Sequence, residues 1–132
     1  MPVVVYSIQP DDRNHLIVYG KKSTKAYVRI SSEEFKRILE GDTSFLEERC
    51  FDEETKKEFK KIAEYIKNID MIIIKTYVGV IPSFEYRAKK DTIKIDVVGK
   101  ARVTYSFETI EGKKITIIHY PLQGKIYVMN NR

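Results

Sequence analysis

Four side chains in the second half of the chain, Arg87, Arg102, His119 and Tyr120, are of types that can cleave RNA without a metal ion. RNA carries its own 2′-hydroxyl nucleophile, so a protein needs only to stabilise the developing negative charge and to move a proton. A metal-independent ribonuclease is therefore one interpretation of this set. Because no residue motif adds to the residue types themselves, we treat it as an alternative.

The histidines and the single cysteine have plainer interpretations. His119 falls on the apolar side of a predicted strand, which favours a hydrogen-bonded histidine at the edge of the core. Asp11, Asp12 and His15 could hold a metal, but loops of this composition are typical of turns. Cys50 has no second cysteine to pair with, and one cysteine with two histidines cannot complete a Cys/His zinc site. We predict neither a metal nor a cofactor.

Known catalytic motifs are missing from the sequence. It contains no phosphate-loop or dinucleotide glycine motif, no G-x-S-x-G and no paired-histidine metalloprotease motif. Such motifs supply a phosphate cradle, a nucleophile or a metal site. A non-enzymatic function is therefore the favoured interpretation.

Charge is distributed unevenly along the chain. Residues 67–132 carry 12 Lys/Arg against 6 Asp/Glu, whereas residues 1–66 carry 12 against 13, so the net charge of +5 comes from the second half. That half also has the alternating pattern of strands. A basic sheet face favours a nucleic-acid partner, bound mainly through phosphates with little sequence readout.

Strand parity places the candidate binding residues on one uncovered sheet face, with Arg87 beside Lys94 and Arg102 beside Tyr120. Arginine next to an exposed aromatic ring can stack on bases, and lysine can contact phosphates. The predicted nucleic-acid-binding residues are Arg87, Lys89, Lys94, Arg102 and Tyr120. The competing interpretation is a neutral surface, because Glu85, Asp96 and Glu108 fall on the same face and could form cross-strand ion pairs.

A third interpretation is a homo-oligomeric interaction or assembly module. The segment from Glu33 to Glu54 carries nine Asp/Glu against three Lys/Arg, and it could meet a basic sheet edge of another copy. An uncovered edge strand is also a ready template for pairing.

Two helices are predicted in the middle of the chain. Ser31 and Glu34 fit the S-x-x-E capping box of a short helix, which Gly41 ends. A second helix is expected from about Glu53 to Asn68, behind Asp52 as N-cap, with an apolar stripe on one side.

From Met71 onward the hydrophobic period changes to that of strands. Ile95 and Tyr105 share a face only if residues 99–101 form a three-residue loop. The next hairpin pairs Tyr105 with Ile117 and leaves residues 110–112 as its loop. Gly112 then occupies the loop position that needs a positive φ.

These patterns predict a single α+β domain over residues 1–132, with a mainly antiparallel sheet, a meander in its C-terminal half, and two helices packed on one face. The length suits one hydrophobic core. No apolar run approaches the ~20 residues of a membrane helix, and no signal peptide is evident. The single cysteine favours a reducing, cytoplasmic setting. The Lys-rich, Gln-poor composition resembles that of thermophile proteins.

Overall fold

A computed structural model describes residues 3–21, 23–45 and 53–131 of the chain. Cys50, Asp52 and part of the predicted acidic segment lie outside these residues. The first elements are the strands β1 (Val3–Ile8), β2 (His15–Tyr19) and β3 (Thr24–Arg29) and the helices α1 (Ser32–Leu39) and α2 (Glu53–Asn68). They are followed by β4 (Met71–Val78), β5 (Ile81–Lys89), a 3-10 turn (Lys90–Thr92), β6 (Lys94–Val98), β7 (Arg102–Glu108), β8 (Lys114–Tyr120) and β9 (Lys125–Asn131).

The strands form two sheets. The first has the order β3-β2-β1-β4-β5 and is antiparallel except where β1 and β4 run parallel; the second is a meander in the order β6-β7-β8-β9. The sheets are joined at one corner, where Ala88 pairs with Thr109 and the Ile110 N–H donates to the Arg87 carbonyl at 3.0 Å. The predicted α+β class with mainly antiparallel strands is confirmed.

The helix α2 packs against β3 of the first sheet, whereas α1 lies between that sheet and β6 of the second. In the predicted capping box the Glu34 N–H donates to the Ser31 hydroxyl at 3.1 Å, and the Ser31 N–H donates to the Glu34 carboxylate at 2.9 Å. The apolar stripe of α2 buries Phe59, Ile62 and Ile66 in the core, which confirms its one-sided packing. Neither helix among the described residues has the length and apolarity that crossing a membrane requires.

The two sheets also meet in the core. Tyr6 of β1 stacks on Phe35 of α1, with ring centroids 4.0 Å apart, and lies 6.1 Å from the ring of Tyr105 in β7. All three side chains are fully buried. Because the inward residues of both sheets belong to this one core, the alternate residues of the second sheet face away from it.

The predicted register of the second sheet is confirmed, but its extent is not. Ile95 pairs with Tyr105 and Tyr105 with Ile117, as parity requires, and Gly112 has a φ of 92°. The predicted neighbours Arg87 and Lys94 are in different sheets, so that pairing is wrong. The 3-10 turn between β5 and β6 redirects the chain, because it ends the ladder with β4 and starts a new sheet.

Candidate nucleic-acid interface

The candidate site is the outer face of the second sheet, which we define by the outward side chains of its four strands. Inward residues such as Ile95, Tyr105 and Ile117 are buried, so their neighbours along each strand point outward. The outer face consists of Lys94, Asp96, Val98, Arg102, Thr104, Ser106, Glu108, Lys114, Thr116, Ile118, Tyr120, Lys125, Tyr127 and Met129.

One row across this face combines cations with an aromatic ring. Val103 pairs with His119, which places Arg102 opposite Tyr120 at the next position, and Tyr120 pairs with Lys125. The Tyr120 ring meets that of Tyr127 edge-on, with centroids 5.8 Å apart and an interplanar angle of 78°. Tyr127 is 50% exposed. A guanidinium, an ammonium and two tyrosine rings therefore lie together on an open surface.

Positive charge prevails on the outer face. It carries the cations Lys94, Arg102, Lys114 and Lys125 and the carboxylates Asp96 and Glu108. Glu108 is bound by a cation from β5, because the Nζ of Lys89 lies 2.7 Å from its Oε1. The hydrogen bond and the charge of Lys89 lower the pKa of Glu108, and Lys114 lowers it further. Glu108 is thus neutralised partly from outside the face, which leaves an excess of cations.

A shallow depression of about 450 Å³ lies at the opposite end of the face from Tyr120. Its lining includes Lys94 and Lys114, the hydroxyls of Ser106 and Thr116, and the carboxylates Asp91 and Glu108, of which Glu108 is bound by Lys89. Ammonium groups and hydroxyls are common donors to phosphate oxygens. Both ends of the outer face therefore offer groups suited to a phosphate backbone.

Three of the five predicted binding residues lie on this surface: Lys94, Arg102 and Tyr120. Arg87 is exposed on β5, opposite Ile73 in the first sheet. Lys89 reaches the border of the face, but its ammonium is engaged by Glu108. The competing interpretation, a surface neutralised by cross-strand ion pairs, applies in part. On the first sheet Oε1 of Glu85 lies 3.7 Å from Nζ of Lys75, and Glu108 pairs with Lys89.

The residues considered for RNA cleavage are not brought together. His119 is fully buried, and its Nε2 lies 3.1 Å from the Pro10 carbonyl oxygen. Tyr120 is the next residue in the strand and therefore points to the opposite side of the sheet. Arg87 belongs to the other sheet. The prediction that His119 lies opposite Val103 on the apolar side is confirmed.

A small polar cluster is buried behind the outer face. The Nδ1 of His119 and Oδ1 of Asp12 have no hydrogen-bond partner among the described residues, and the hydroxyl of Tyr105 lies close to the polar side chains of Tyr6, Ser32 and Asn14. Burial raises the pKa of Asp12, an effect that His119 and Lys100 oppose and Asp11 reinforces. Asp12 also has a φ of 66°, which is uncommon outside glycine. Because His119 and Tyr105 are fully buried, this cluster belongs to the core.

The candidate metal ligands Asp12 and His15, between β1 and the start of β2, contact different neighbours. The ring of His15 lies 4.9 Å from that of Tyr27, whereas Asp12 interacts with His119. Among the described residues no group of three or more His, Cys, Asp or Glu side chains could hold a metal ion.

Sequence reasoning missed the contribution of β9 to the outer face. Lys125, Tyr127 and Met129 alternate with Ile126 and Val128, and Tyr120 pairs with Lys125 across the preceding turn. The alternation was the available signal. The same parity, continued through one more hairpin, places these three side chains beside Tyr120.

Compared with protein-family models, curated proteins and solved structures, the chain has no significant match. Its function is therefore inferred from the site itself.

Proposed function

We propose that this protein binds nucleic acid without catalysis, mainly through phosphate contacts and with little sequence readout, on the outer face of the second sheet. The row of Arg102, Tyr120 and Lys125 beside the half-exposed Tyr127 carries the proposal. Cations attract the backbone and release its counterions, whereas aromatic faces accept bases of any type. The cysteine-poor composition supports a reducing, cytoplasmic setting.

The outer face suits nonspecific binding better than base readout. Direct readout of a duplex needs a helix or a two-stranded ribbon in the major groove. The outer face presents its cations on an open four-stranded sheet, an arrangement that suits contacts with the phosphate backbone. Excess positive charge on one surface also steers a polyanion toward that surface.

Fluorescence anisotropy with labelled oligonucleotides across a salt series tests the proposal. The variant Arg102→Ala/Lys125→Ala removes two cations of the outer face, and Lys57→Ala/Lys61→Ala removes two exposed cations of α2. The first pair should weaken binding roughly ten- to sixtyfold at about 0.1 M salt. It should also reduce the slope of log K against log salt concentration by about one to two, because two phosphate contacts are lost. The variant Lys57→Ala/Lys61→Ala changes the net charge by the same amount, but it should leave the affinity and its salt dependence nearly unchanged. Equal losses in both variants, or no binding at about 50 mM salt, would refute the proposal.

A second candidate function, self-assembly, is favoured by an apolar arm, which we define as residues 77–84, the tip of the hairpin formed by the end of β4 and the start of β5. Pairing between β1 and β4 ends at Thr76, so the arm extends past the neighbouring strand. Val78, Val80 and Ile81 are 68%, 92% and 67% exposed, and Phe84 is 47% exposed. Contiguous exposed apolar surface of this kind marks interaction sites.

The arm is suited to meeting a second copy of itself. No charged residue lies between Thr76 and Phe84, so a two-fold pairing of arms brings no like charges together. Light scattering of Val80→Ser/Ile81→Ser should show a lower mass than the unmodified protein. Leu122→Ser changes a single apolar residue, 77% exposed in another turn, and should have no effect. A monomer at high concentration in the unmodified protein would rule out this function.

A further inference from the structure

On β8 and β9 the outer face carries apolar side chains between its charged ends. Tyr127 pairs with Ile118, and Met129 with Thr116 in the next outward row. Tyr127 is 50% and Met129 43% exposed, and both belong to β9, the edge strand of the sheet. With the partly buried Ile118 and Tyr120 they form a patch of two rings, a thioether and an aliphatic chain. We call these residues the stacking patch: Ile118, Tyr120, Tyr127 and Met129.

Cations bracket the stacking patch at both ends. Arg102 and Lys125 lie in the row of Tyr120, whereas Lys94 and Lys114 lie at the other end of the sheet. The distance from Tyr120 to Lys114 along β8 is roughly 20 Å, at about 3.4 Å per residue. A span of this size suits two or three bases stacked on a four-stranded sheet.

A duplex cannot use this arrangement. In double-stranded nucleic acid the flat faces of the bases are stacked inside, so that only base edges and the backbone are accessible to a sheet. An unpaired strand exposes each base face, so the rings of the stacking patch can accept bases while the flanking cations hold phosphates. An unpaired strand can therefore use both the exposed Tyr127 ring and the cations at the two ends, whereas a duplex can use only the cations.

From this geometry we infer that the ligand of the outer face is single-stranded nucleic acid, with bases on Tyr127 and Tyr120 and the backbone on the bracketing cations. The inference rests on the proposed nucleic-acid-binding function and narrows its substrate class. RNA and DNA share the base faces and phosphates that the patch would recognise. Whether the ligand is RNA or DNA is therefore tested separately from whether it is single- or double-stranded.

The lack of tryptophan in the chain permits a direct test. Tyr127→Trp introduces a single indole into the stacking patch, and Tyr27→Trp introduces one at a 55% exposed position on the first sheet. Oligo(dT), oligo(U) and a duplex of the same length serve as probes. Oligo(dT) or oligo(U) should quench the indole of Tyr127→Trp and leave that of Tyr27→Trp unchanged, and should bind at least tenfold more tightly than the duplex. The stronger of the two single strands identifies the strand type.

A ring-deletion pair measures the stacking contribution. Tyr127→Ser should weaken single-strand binding about 5- to 150-fold, whereas Tyr127→Phe, which keeps the ring, should bind like the unmodified protein. Thermal melting of both variants checks that the half-exposed edge position tolerates the change. Duplex binding equal to or tighter than single-strand binding, with no indole quenching, would overturn the inference while leaving phosphate binding intact. Absence of binding to all three probes at low salt would overturn both.

Discussion

The ammonium of Lys89 lies 2.7 Å from Oε1 of Glu108 and links the two sheets on their outward side. The pair stands beside the bridge between Ala88 and Thr109, where the sheets join. It serves the corner of the fold, and it keeps the Lys89 ammonium, at the border of the outer face, engaged by a carboxylate. Glu108 therefore opposes polyanion binding in two ways, through its own charge and through its hold on Lys89.

Removal of this carboxylate should strengthen binding. In Glu108→Gln the amide keeps the side-chain size but releases Lys89, so nucleic-acid affinity should rise. The slope of log K against log salt concentration should steepen by about 0.7–0.9, the value for one added phosphate contact. Anisotropy titrations at several salt concentrations measure both effects. Glu85→Gln, which releases Lys75 on the first sheet, serves as the matched control. An equal gain in both variants would mean that only net charge matters.

His119 should act in stability and not in binding. His119→Ala removes a fully buried ring and the partner of the Pro10 carbonyl, at a cost of about 3 kcal/mol in the free energy of unfolding. Because the ring points away from the outer face, nucleic-acid affinity of the folded variant should not change. His15→Ala, on the outward side of β2, should cost about 0.5 kcal/mol. Urea unfolding and anisotropy give the two quantities, and a binding defect without a stability loss would contradict the assignment.

The hairpins of the second sheet are predictable because two independent constraints agree. Side-chain parity demands odd loops, and Gly112 supplies the positive φ that a three-residue loop needs. The break between β5 and β6 is not predictable in this way, because the 3-10 turn leaves the alternation on both sides intact. Parity therefore placed Arg102 beside Tyr120 correctly and Arg87 beside Lys94 wrongly.

The pairing of strands that are distant in the sequence also cannot be predicted from the local hydrophobic pattern. The parallel contact of β1 with β4 joins Val5 to Ile73 across both helices, and no loop length constrains that register. The ion pair of Lys89 with Glu108 depends on the same tertiary arrangement. The residues of the outer face can therefore be predicted from the sequence. The pairing of Glu108 with Lys89, which changes the net charge near this face, depends on how the two sheets join.

Asp12 should destabilise the fold at neutral pH. Burial raises the pKa of its carboxyl, so between the unfolded and folded pKa values the unfolded state binds fewer protons and stability falls as pH rises. Asn has similar size, lacks the charge and tolerates a positive φ. Asp12→Asn should therefore raise the melting temperature at pH 7 and not at about pH 3, where both forms are neutral.

Asp11 provides the control for that prediction. Its Oδ1 accepts a hydrogen bond from the Arg13 N–H at 3.1 Å, and its side chain is 61% exposed. Asp11→Asn removes only the minor effect of the Asp11 charge on Asp12 and should therefore give a smaller gain at pH 7 than Asp12→Asn. A gain of the same size in both variants would show that loop charge, and not burial of Asp12, is responsible.

Gly112 should contribute to stability through backbone conformation alone. Its φ is 92°, and a Cβ at this position would meet no atom within 4 Å, so Gly112→Ala introduces conformational strain without a clash. We expect a loss of about 1 kcal/mol in the free energy of unfolding, and a smaller loss for Gly112→Asn. Urea unfolding measures both, with Glu111→Ala in the same turn as a control that should change by less than about 0.5 kcal/mol. Because this turn holds β7 and β8 in register and so places Lys114 opposite Glu108, unchanged stability in Gly112→Ala would indicate a different loop conformation in solution.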